Sequence, residues 1–593
     1  MPDFRQHDVT DCGPACLAYV FHRYGLGLSI SSIRQKSGTS RSGTTALGMV
    51  ETAKECGFEA KGLRCKFEDL SSLPLPGIAH VITPGGLLHY VVVCGIGKKS
   101  MKIMDPAIGR IEKWSIDRFQ AIWTNVFIVL SPGSSFAPSS PKQSPWSRLV
   151  ALLGPHKQVI YQALVGVVLG TILSLSSAVY VQKIIDNVIL DGNRNLLRLL
   201  GVGMLCILVL RIVLGYFQSI LILRCAQRID AGLILGYYRH VMRLPQAFFD
   251  TMRVGEIISR VRDAQAIRDF LTGTVLELII NPMILIFAFA AMFAYSWQLA
   301  LFSMALIPAN VAVYIASDWL NRRYQREIME RSADFDAQVV ESLHAMSIVR
   351  SCGMEEEMAF RTETRTVRLL KRVWMASKTG LIVGSAGGLL TQAYTIGLLW
   401  LGASLVLDSI LTAGELMSCH ALAGYITGPI VSLIGMNASL RAATTSTDRL
   451  YEILDLELED DNGTADLELD GSPFAIEVDG VDFHYPGRVA TLQGISLIFQ
   501  SGQIVALAGR SGCGKSTILS LLQRHYLPDK GQILIDGVNI QYLKLERLRA
   551  LIAHVPQRID MLAGTVLENL APGEARPDMP RIMELCRKVG ILE

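Results

Sequence analysis

The amino-acid sequence predicts a multidomain membrane protein with an N-terminal α+β domain, an all-α domain of six membrane-spanning helices, and part of an α/β domain at the C-terminus. The chain has 593 residues, and at roughly 150 residues per domain this length suggests about three or four units. Hydrophobic residues make up 50% of the chain and charged residues only 18%, compared with roughly 25% charged residues in soluble domains. The apolar residues recur in long runs, so part of the chain is expected to lie in lipid.

Charge and cysteine content limit the classes of partner and of site. The formal net charge is only +3, and no basic cluster is interleaved with aromatic residues, so nucleic acid is not an expected partner. The 11 cysteines are scattered without paired spacings, which favours reduced thiols in the cytosol over disulfides or a cysteine-based metal site. The start of the chain lacks an apolar signal-peptide core, so the first domain is expected in the cytoplasm.

The domain boundaries follow from changes in composition. Residues 1–132 combine a helix-like pattern around Ala15–Tyr24 with strand-like runs such as HYVVVC at 89–94. A Pro- and Ser-rich linker is predicted over 133–150, because this composition cannot build a core. The membrane domain is predicted over 151–450 and the final domain over 474–593.

Six apolar runs are long enough to cross a bilayer, which takes about 20 helical residues each. The predicted spans are 159–182, 197–222, 272–295, 298–317, 380–407 and 415–437. Lys and Arg are concentrated in the long segments after the second and fourth spans, so these segments, and with them both soluble ends, are expected to face the cytoplasm. The same segments are amphipathic and are predicted to be helical extensions of the spans, with 244–250 and 340–344 as candidate coupling segments or simply packed helices.

The sequence GRSGCGKST at 509–517 matches the phosphate-binding pattern G-x-x-x-x-G-K-[ST]. An apolar strand is predicted before it at Ile504–Ala508, and a helix after it at Ile518–Leu522. The glycines allow backbone N–H groups to surround phosphates, Lys515 supplies positive charge, and the hydroxyl of Ser516 suits Mg²⁺. ATP contacts are therefore expected from Gly509, Ser511, Gly512, Gly514, Lys515, Ser516 and Thr517.

Two further residues extend this match. Tyr485 precedes the loop and is placed to stack on adenine, and Gln557 is placed to touch Mg²⁺ and the attacking water. Considered alone, a tyrosine more commonly packs in a core and a glutamine more commonly lies on the surface. At these positions relative to Lys515, together with GTVLEN at 564–569, the sequence resembles the ATP-binding cassette of ABC exporters. That resemblance implies a homodimer that sandwiches nucleotide between two cassettes.

The cassette departs from the family pattern toward its end. Between Glu568 and Glu593 there is no L-S-G-G-Q signature, no apolar strand ending in Asp-Glu and no switch histidine. These parts supply the carboxylate that polarises water, so the expectation is an incomplete ATPase, from a fragment, a split gene or a frameshift.

A candidate cysteine nucleophile lies near the start of the chain. Cys12 precedes a helical run, and a helix N-terminus favours the thiolate, whereas Cys16 one turn later is expected in the core. His89 opens a strand and Asp105 follows another, giving a nucleophile, a base and an orienting carboxylate, with Gln6 as an oxyanion donor. Spacing alone leaves open that these are ordinary core residues.

Gln6, the DCG and ACL sequences around Cys12, HYV at 89–91 and DP at 105–106 together resemble the papain-like peptidase domain of bacteriocin-processing ABC transporters. The resemblance implies catalytic roles for Cys12, His89, Asp105 and Gln6. It also implies cleavage after a double-glycine leader and export of the released peptide across the bacterial plasma membrane, with a periplasmic adaptor and an outer-membrane channel as possible further partners.

Three alternatives remain at this stage. The N-terminal domain only docks cargo, as in related exporters that lack the cysteine, or the chain is a truncated half-transporter that does not hydrolyse ATP. The third alternative is a lipid or drug exporter with an accessory domain.

Overall fold

The computed structural model describes residues 4, 6, 9–40, 43–83, 86–138, 144–252, 254–459, 463, 475–557, 559, 561–574 and 576–591. Part of the predicted linker, 139–143, and the predicted start of the last domain at 474 lie outside the described residues. The predicted fold class is confirmed, since an α+β domain with one sheet is followed by six long apolar helices and an α/β domain.

The N-terminal domain places three helices before an antiparallel sheet. Its elements are α1 (Cys12–Arg23), α2 (Ile30–Lys36), α3 (Ala46–Glu55), β1 (Phe58–Arg64), β2 (Gly77–Ile82), β3 (Leu88–Ile96), β4 (Ser100–Asp105), β5 (Arg110–Ser115), α4 (Ile116–Ile122) and β6 (Trp123–Pro132). The strand order is β1-β6-β2-β3-β4-β5. The helix predicted around 15–24 and the strand predicted at 89–94 correspond to α1 and β3.

The sheet has a hydrophobic cluster on each face, which explains the run of apolar residues in β3. Tyr90 and Val92 pack with α1 in one cluster, and Val91 and Val93 pack with the aromatic residues of the other. Because side chains alternate along a strand, both faces of β3 are covered and its centre is buried. The strand is therefore a rigid support for His89, its second residue.

Among the residues that the structure describes, the helical domain has six helices long and apolar enough to cross a membrane. Its elements are α5 (Pro145–Leu153), α6 (Lys157–Lys183), α7 (Arg194–Val241), α8 (Gln246–Thr251), α9 (Val254–Asp269), α10 (Val275–Tyr295), α11 (Trp297–Met304), α12 (Leu306–His344), α13 (Met346–Ser351), α14 (Glu355–Leu407) and α15 (Ala413–Leu454). Each predicted span falls within one of the six candidate membrane segments.

Two of these helices are far longer than a bilayer requires. The helix α7 has 48 residues and α14 has 53, whereas a rise of 1.5 Å per residue crosses a core of about 30 Å in about 20 residues. Both must extend beyond the membrane, as the amphipathic segments predicted. A buried cluster joins the extension of α7 to α5, α8, α9 and α15.

The C-terminal domain has a four-stranded antiparallel sheet with helices around it. Its elements are β7 (Ile476–Phe483), β8 (Leu492–Phe499), α16 (Lys515–Leu522), β9 (Lys530–Ile535), β10 (Val538–Asn539), α17 (Leu545–Leu551), α18 (Val566–Leu570) and α19 (Met579–Val589). The sheet order is β10-β9-β7-β8.

The prediction of a strand at Ile504–Ala508 is wrong. The segment has no strand pairing and Ile504 is fully exposed. A strand needs a neighbour to bond its N–H and C=O groups, and no described strand lies beside this segment. The helix predicted after the loop is correct, and it begins earlier, at Lys515.

Candidate functional site

Cys12 is the first residue of α1 and lies at the positive end of that helix. Its side chain is almost enclosed, with 5% of its surface exposed. A helix N-terminus stabilises a thiolate through the helix dipole and the amides of the first turn. The next cysteine, Cys16, is completely buried in the cluster between α1 and the sheet, as predicted, and burial raises its pKa well above the ordinary value.

His89 and Asp105 come together because β3 and β4 are antiparallel neighbours. His89 is the second residue of β3 and Asp105 is the last residue of β4, so both lie at the same end of the sheet. His89 Nε2 lies 2.9 Å from Asp105 Oδ1, and the backbone N–H of Ala107 donates to that same oxygen at 2.9 Å. The carboxylate is thereby held against Nε2 of the His89 ring, and the other ring nitrogen, Nδ1, is left to interact with Cys12.

The electrostatics of the three groups are coupled. Burial alone would lower the pKa of His89, but its hydrogen bonds with Asp105 and Cys12 outweigh burial and raise that pKa to about 9. Burial opposes ionisation of Asp105, yet the hydrogen bond from His89 keeps the pKa of this carboxyl below its usual value. The arrangement therefore favours an imidazolium between two groups that are negative when ionised.

Gln6 lies beside the same loop. Its backbone N–H donates to the carbonyl of Pro106 at 2.9 Å, next to Asp105. The buried Oε1 atom of Gln6 makes no hydrogen bond to the described residues. The structure thus places Gln6 at the edge of the Cys12–His89–Asp105 cluster.

The sequence pattern did not identify His80, which lies on β2 beside the cluster. Its Nδ1 is 2.8 Å from Thr124 Oγ1, and its ring lies 4.9 Å from that of Tyr90. Burial and then the nearby His89 lower the pKa of His80. A single histidine in a strand carries no local motif, so only the pairing of β2 with β3 could have found it.

The phosphate-binding loop has the backbone that its sequence requires. Gly512 and Gly514 have φ angles of 84° and 94°, a region that side-chain-bearing residues avoid. The Lys515 ammonium donates to the carbonyls of Gly509 and Arg510 at 2.9 Å each. The loop, which also contains Ser511, therefore wraps around the lysine at the N-terminus of α16, a geometry that fits phosphate.

The other residues predicted to contact the nucleotide differ in whether the structure places them at the loop. Tyr485 lies against the loop, because its hydroxyl donates to Thr517 Oγ1 at 3.3 Å, and Ser516 follows Lys515 in the first turn of α16. Gln557 is exposed, and in the described structure it makes no hydrogen bond to the loop. The structure therefore joins Tyr485 to the loop and does not join Gln557 to it.

Two interfaces connect the C-terminal domain to the rest of the chain. The Tyr526 hydroxyl donates to Asp250 Oδ2 on α8 at 2.6 Å, which links the candidate coupling segment to the domain that holds the loop. On the other side, the Thr45 hydroxyl of the N-terminal domain donates to the carbonyl of Gly487 at 2.9 Å. That carbonyl is two residues from Tyr485.

Comparisons with known proteins agree with this three-part organisation. The Peptidase C39 family model matches residues 2–135, the ABC transporter transmembrane region matches 160–430, and the ABC transporter model matches 492–593. The Lactococcin-G-processing and transport ATP-binding protein LagD of Lactococcus lactis subsp. lactis is 30% identical over 591 residues, which are 99% of this chain and 83% of the relative. The chain belongs to the ABC transporters that carry an N-terminal C39 peptidase domain.

Other relatives match this transporter over almost its whole length. The transport/processing ATP-binding protein ComA of Streptococcus pneumoniae (strain ATCC BAA-255 / R6) is 30% identical over 98% of this chain and 82% of its own length. The Pediocin PA-1 transport/processing ATP-binding protein PedD of Pediococcus acidilactici is 30% identical over 98% and 80%. The transporter is thus a multi-pass membrane protein with a cysteine peptidase domain and a nucleotide-binding ABC ATPase domain.

Proposed function

We propose that this transporter removes a double-glycine leader from a bacteriocin-like precursor and exports the released peptide with energy from ATP. The observation that carries the proposal is the His89–Asp105 pair beside Cys12 at the N-terminus of α1. The names of the relatives, which refer to the processing and transport of lactococcins and pediocin, support the substrate class.

The peptidase reaction follows from the roles of four side chains. The Cys12 thiolate attacks the carbonyl carbon of the leader's last glycine, and Gln6 donates a hydrogen bond to the oxyanion. The imidazolium of His89 gives its proton to the leaving amine, which releases the cargo peptide and leaves a thioester on Cys12. Neutral His89 then takes a proton from water, whose oxygen displaces the thiolate and releases the leader acid, while Asp105 holds the ring in place.

The proposed function also includes ATP binding by the C-terminal domain and the organisation of the chain into domains. Lys515 and the loop amides would hold the ATP phosphates, Tyr485 would stack on the base, and Ser516 would bind Mg²⁺, with Gln557 reaching the metal after a rearrangement. Bound ATP supplies a phosphoryl group for hydrolysis. The transporter works as a homodimer. The domain bounds remain predictions from the sequence: a peptidase domain at 1–132, a linker at 133–150, a membrane domain at 151–450 and an ATP-binding domain at 474–593.

The proposed location is the bacterial plasma membrane, with the peptidase and ATP-binding domains in the cytoplasm. The Arg- and Lys-rich segments after the second and fourth spans support this orientation. A periplasmic adaptor and an outer-membrane channel are possible partners for the exported peptide in a cell with two membranes. Protease protection in inverted membrane vesicles tests the orientation.

The peptidase function is tested with the purified full chain in detergent. A synthetic leader peptide ending in Gly-Gly and followed by cargo residues should be cut after the second glycine, as seen by mass spectrometry. Cys12→Ala should abolish the cut, whereas Cys65→Ala, a partly buried cysteine of the same domain, should leave the rate unchanged. Binding of the intact peptide by the unmutated chain without any cut would overturn proteolysis and support a docking domain instead.

A further inference from the structure

Asp11, the residue before the nucleophile, occupies the N-cap position of α1 but does not cap it. Aspartate is a preferred N-cap residue because its carboxylate accepts from amides of the first turn. The Asp11 side chain makes no such bond. It pairs instead with the guanidinium of Arg34 on α2, where Asp11 Oδ1 lies 3.1 Å from Arg34 Nη1. Only 4% of the Arg34 side chain and 3% of the Asp11 side chain are exposed.

Arg34 is itself held by the membrane domain. Its Nη1 lies 3.2 Å from Oε2 of Glu256, in the first turn of α9. Its Nη2 donates at 3.2 Å to the carbonyl of Thr251, the last residue of α8. One buried guanidinium thus joins the residue before Cys12 to two helices of the membrane domain. Its position is fixed by the ion pair with Asp11 in the peptidase domain and by two hydrogen-bond acceptors in the membrane domain.

The alternative position of the Asp11 carboxylate would interfere with Cys12. An N-cap side chain bonds to the second or third amide of the helix, and since Pro14 has no N–H, Gly13 offers the amide that Asp11 would reach. A carboxylate there would place negative charge beside the thiol and occupy an amide at the positive helix end. Both effects disfavour the Cys12 thiolate.

We infer that Arg34 is a positioning residue for the peptidase, which holds the Asp11 carboxylate away from the N-terminus of α1 and keeps that helix end available to Cys12. The inference rests on the proposed peptidase function. Arg34 touches neither Cys12 nor His89 in this role, and it acts through Asp11. Its anchors on Glu256 and Thr251 make the membrane domain part of the support for the nucleophile.

Other ionisable groups also face Cys12 and are unchanged by substitutions at Arg34. His89 and Tyr90 lie on β3, Cys16 lies on α1, and Asp105 stands behind His89 on β4. A change in Cys12 reactivity that depends on both Arg34 and Asp11 therefore reports on the Asp11 carboxylate.

The test compares full-chain Arg34→Met with the double variant Arg34→Met/Asp11→Ala, using the synthetic Gly-Gly leader peptide and alkylation of Cys12 by iodoacetamide followed by mass spectrometry. In Arg34→Met we expect kcat to fall on the order of tenfold at constant KM, and the rate of Cys12 alkylation at a fixed pH to fall by a similar factor. The double variant should recover most of both changes, and Arg34→Lys, which keeps the charge, should resemble the unmutated chain. Arg64→Met, an exposed arginine in the same domain, is the control.

Each outcome separates the inference from the proposed function. If the unmutated chain does not cut the peptide, the proposed function fails; if it cuts and Arg34→Met has the same kcat and alkylation rate, the inference fails. A loss in Arg34→Met that removal of the Asp11 carboxylate does not reverse also overturns it. If Arg34→Met does not fold, Arg34→Gln, which keeps hydrogen-bond donors without charge, must show the same Asp11-dependent loss.

Discussion

His89 Nε2 lies 2.9 Å from Asp105 Oδ1, and the carboxylate is held in turn by the backbone N–H of Ala107. This second bond matters because it prevents the carboxylate from rotating away from the ring. The imidazole is consequently oriented with Nδ1 toward Cys12. The pair is built from the ends of two adjacent strands, so the sheet brings the two residues together, and the loop after β4 holds the carboxylate through the Ala107 amide.

The first prediction concerns the basic limb of the pH–rate profile. The reaction needs the His89 imidazolium to protonate the leaving amine, so activity should persist below the His89 pKa of about 9 and fall as pH rises through it. Asp105→Asn removes a negative partner that raises this pKa, so the basic limb of kcat/KM should move to lower pH by roughly one to three units. Peptide cleavage measured from pH 6 to 10 checks this.

A matched control for that profile is Asp117→Asn, because Asp117 lies on α4 of the same domain and is not part of the pair. Its basic limb should coincide with that of the unmutated chain. A limb that stays near pH 9 in Asp105→Asn would contradict the assigned role of the carboxylate.

The second prediction concerns Gln6 as the oxyanion donor. Loss of one such donor typically costs roughly 100-fold to 1,000-fold in kcat, so Gln6→Ala should lose about this much with little change in KM. Gln120→Ala, an exposed glutamine of α4, should be indistinguishable from the unmutated chain. Steady-state cleavage of the leader peptide measures both parameters, and an equal kcat for the two variants would rule out the role.

Cys12, His89 and Asp105 could be predicted as site residues because each has a local signal and because the motifs around them resemble those of the peptidase family. Their spacing alone leaves open that they are ordinary core residues. Cys12 precedes a helix, and His89 and Asp105 border apolar strands. Arg34 has no such signal, because its role depends on α2 packing against α8 and α9, more than 200 residues away in the chain. Contacts of that range are fixed by tertiary packing, which local patterns do not encode.

The phosphate-binding loop illustrates the same limit on a smaller scale. The glycine pattern predicts the backbone of Gly512 and Gly514 correctly, since their positive φ angles follow from residue type. Whether Ile504–Ala508 forms a strand depends on a neighbouring strand, and whether Gln557 reaches the loop depends on how its exposed segment packs. Neither property is contained in the segment itself.

The third prediction concerns nucleotide binding. Lys515 is surrounded by the carbonyls of its own loop, and phosphate binding requires its charge there. Lys515→Ala should weaken binding of a fluorescent ATP analogue at least tenfold, a loss of about 1.4 kcal/mol, whereas Lys530→Ala, at the exposed first position of β9, should not. Fluorescence titration of the full chain measures both, and equal affinities would contradict the assignment of the loop.

The fourth prediction concerns the contact between the peptidase domain and the segment that carries Tyr485. Gly38 has a φ of 61°, and a Cβ added there would lie 1.7 Å from the carbonyl oxygen of Pro486. Because the opposing atom belongs to the backbone, it cannot rotate away, so Gly38→Ala should separate the two surfaces. Hydrogen–deuterium exchange of residues 479–490 should then increase, while the leader peptide is still cut.

Gly25→Ala is the control that distinguishes a steric clash between the two domains from backbone strain within the peptidase domain. Gly25 also has a positive φ, 91°, but its added Cβ would lie 3.6 Å from Pro138, an ordinary contact distance. Both variants carry the cost of a left-handed residue, about 1–2 kcal/mol, but only Gly38→Ala clashes with the ATP-binding domain. If both variants raise exchange in 479–490 equally, strain within the peptidase domain accounts for the effect, and the contact between Gly38 and Pro486 does not hold the two domains together.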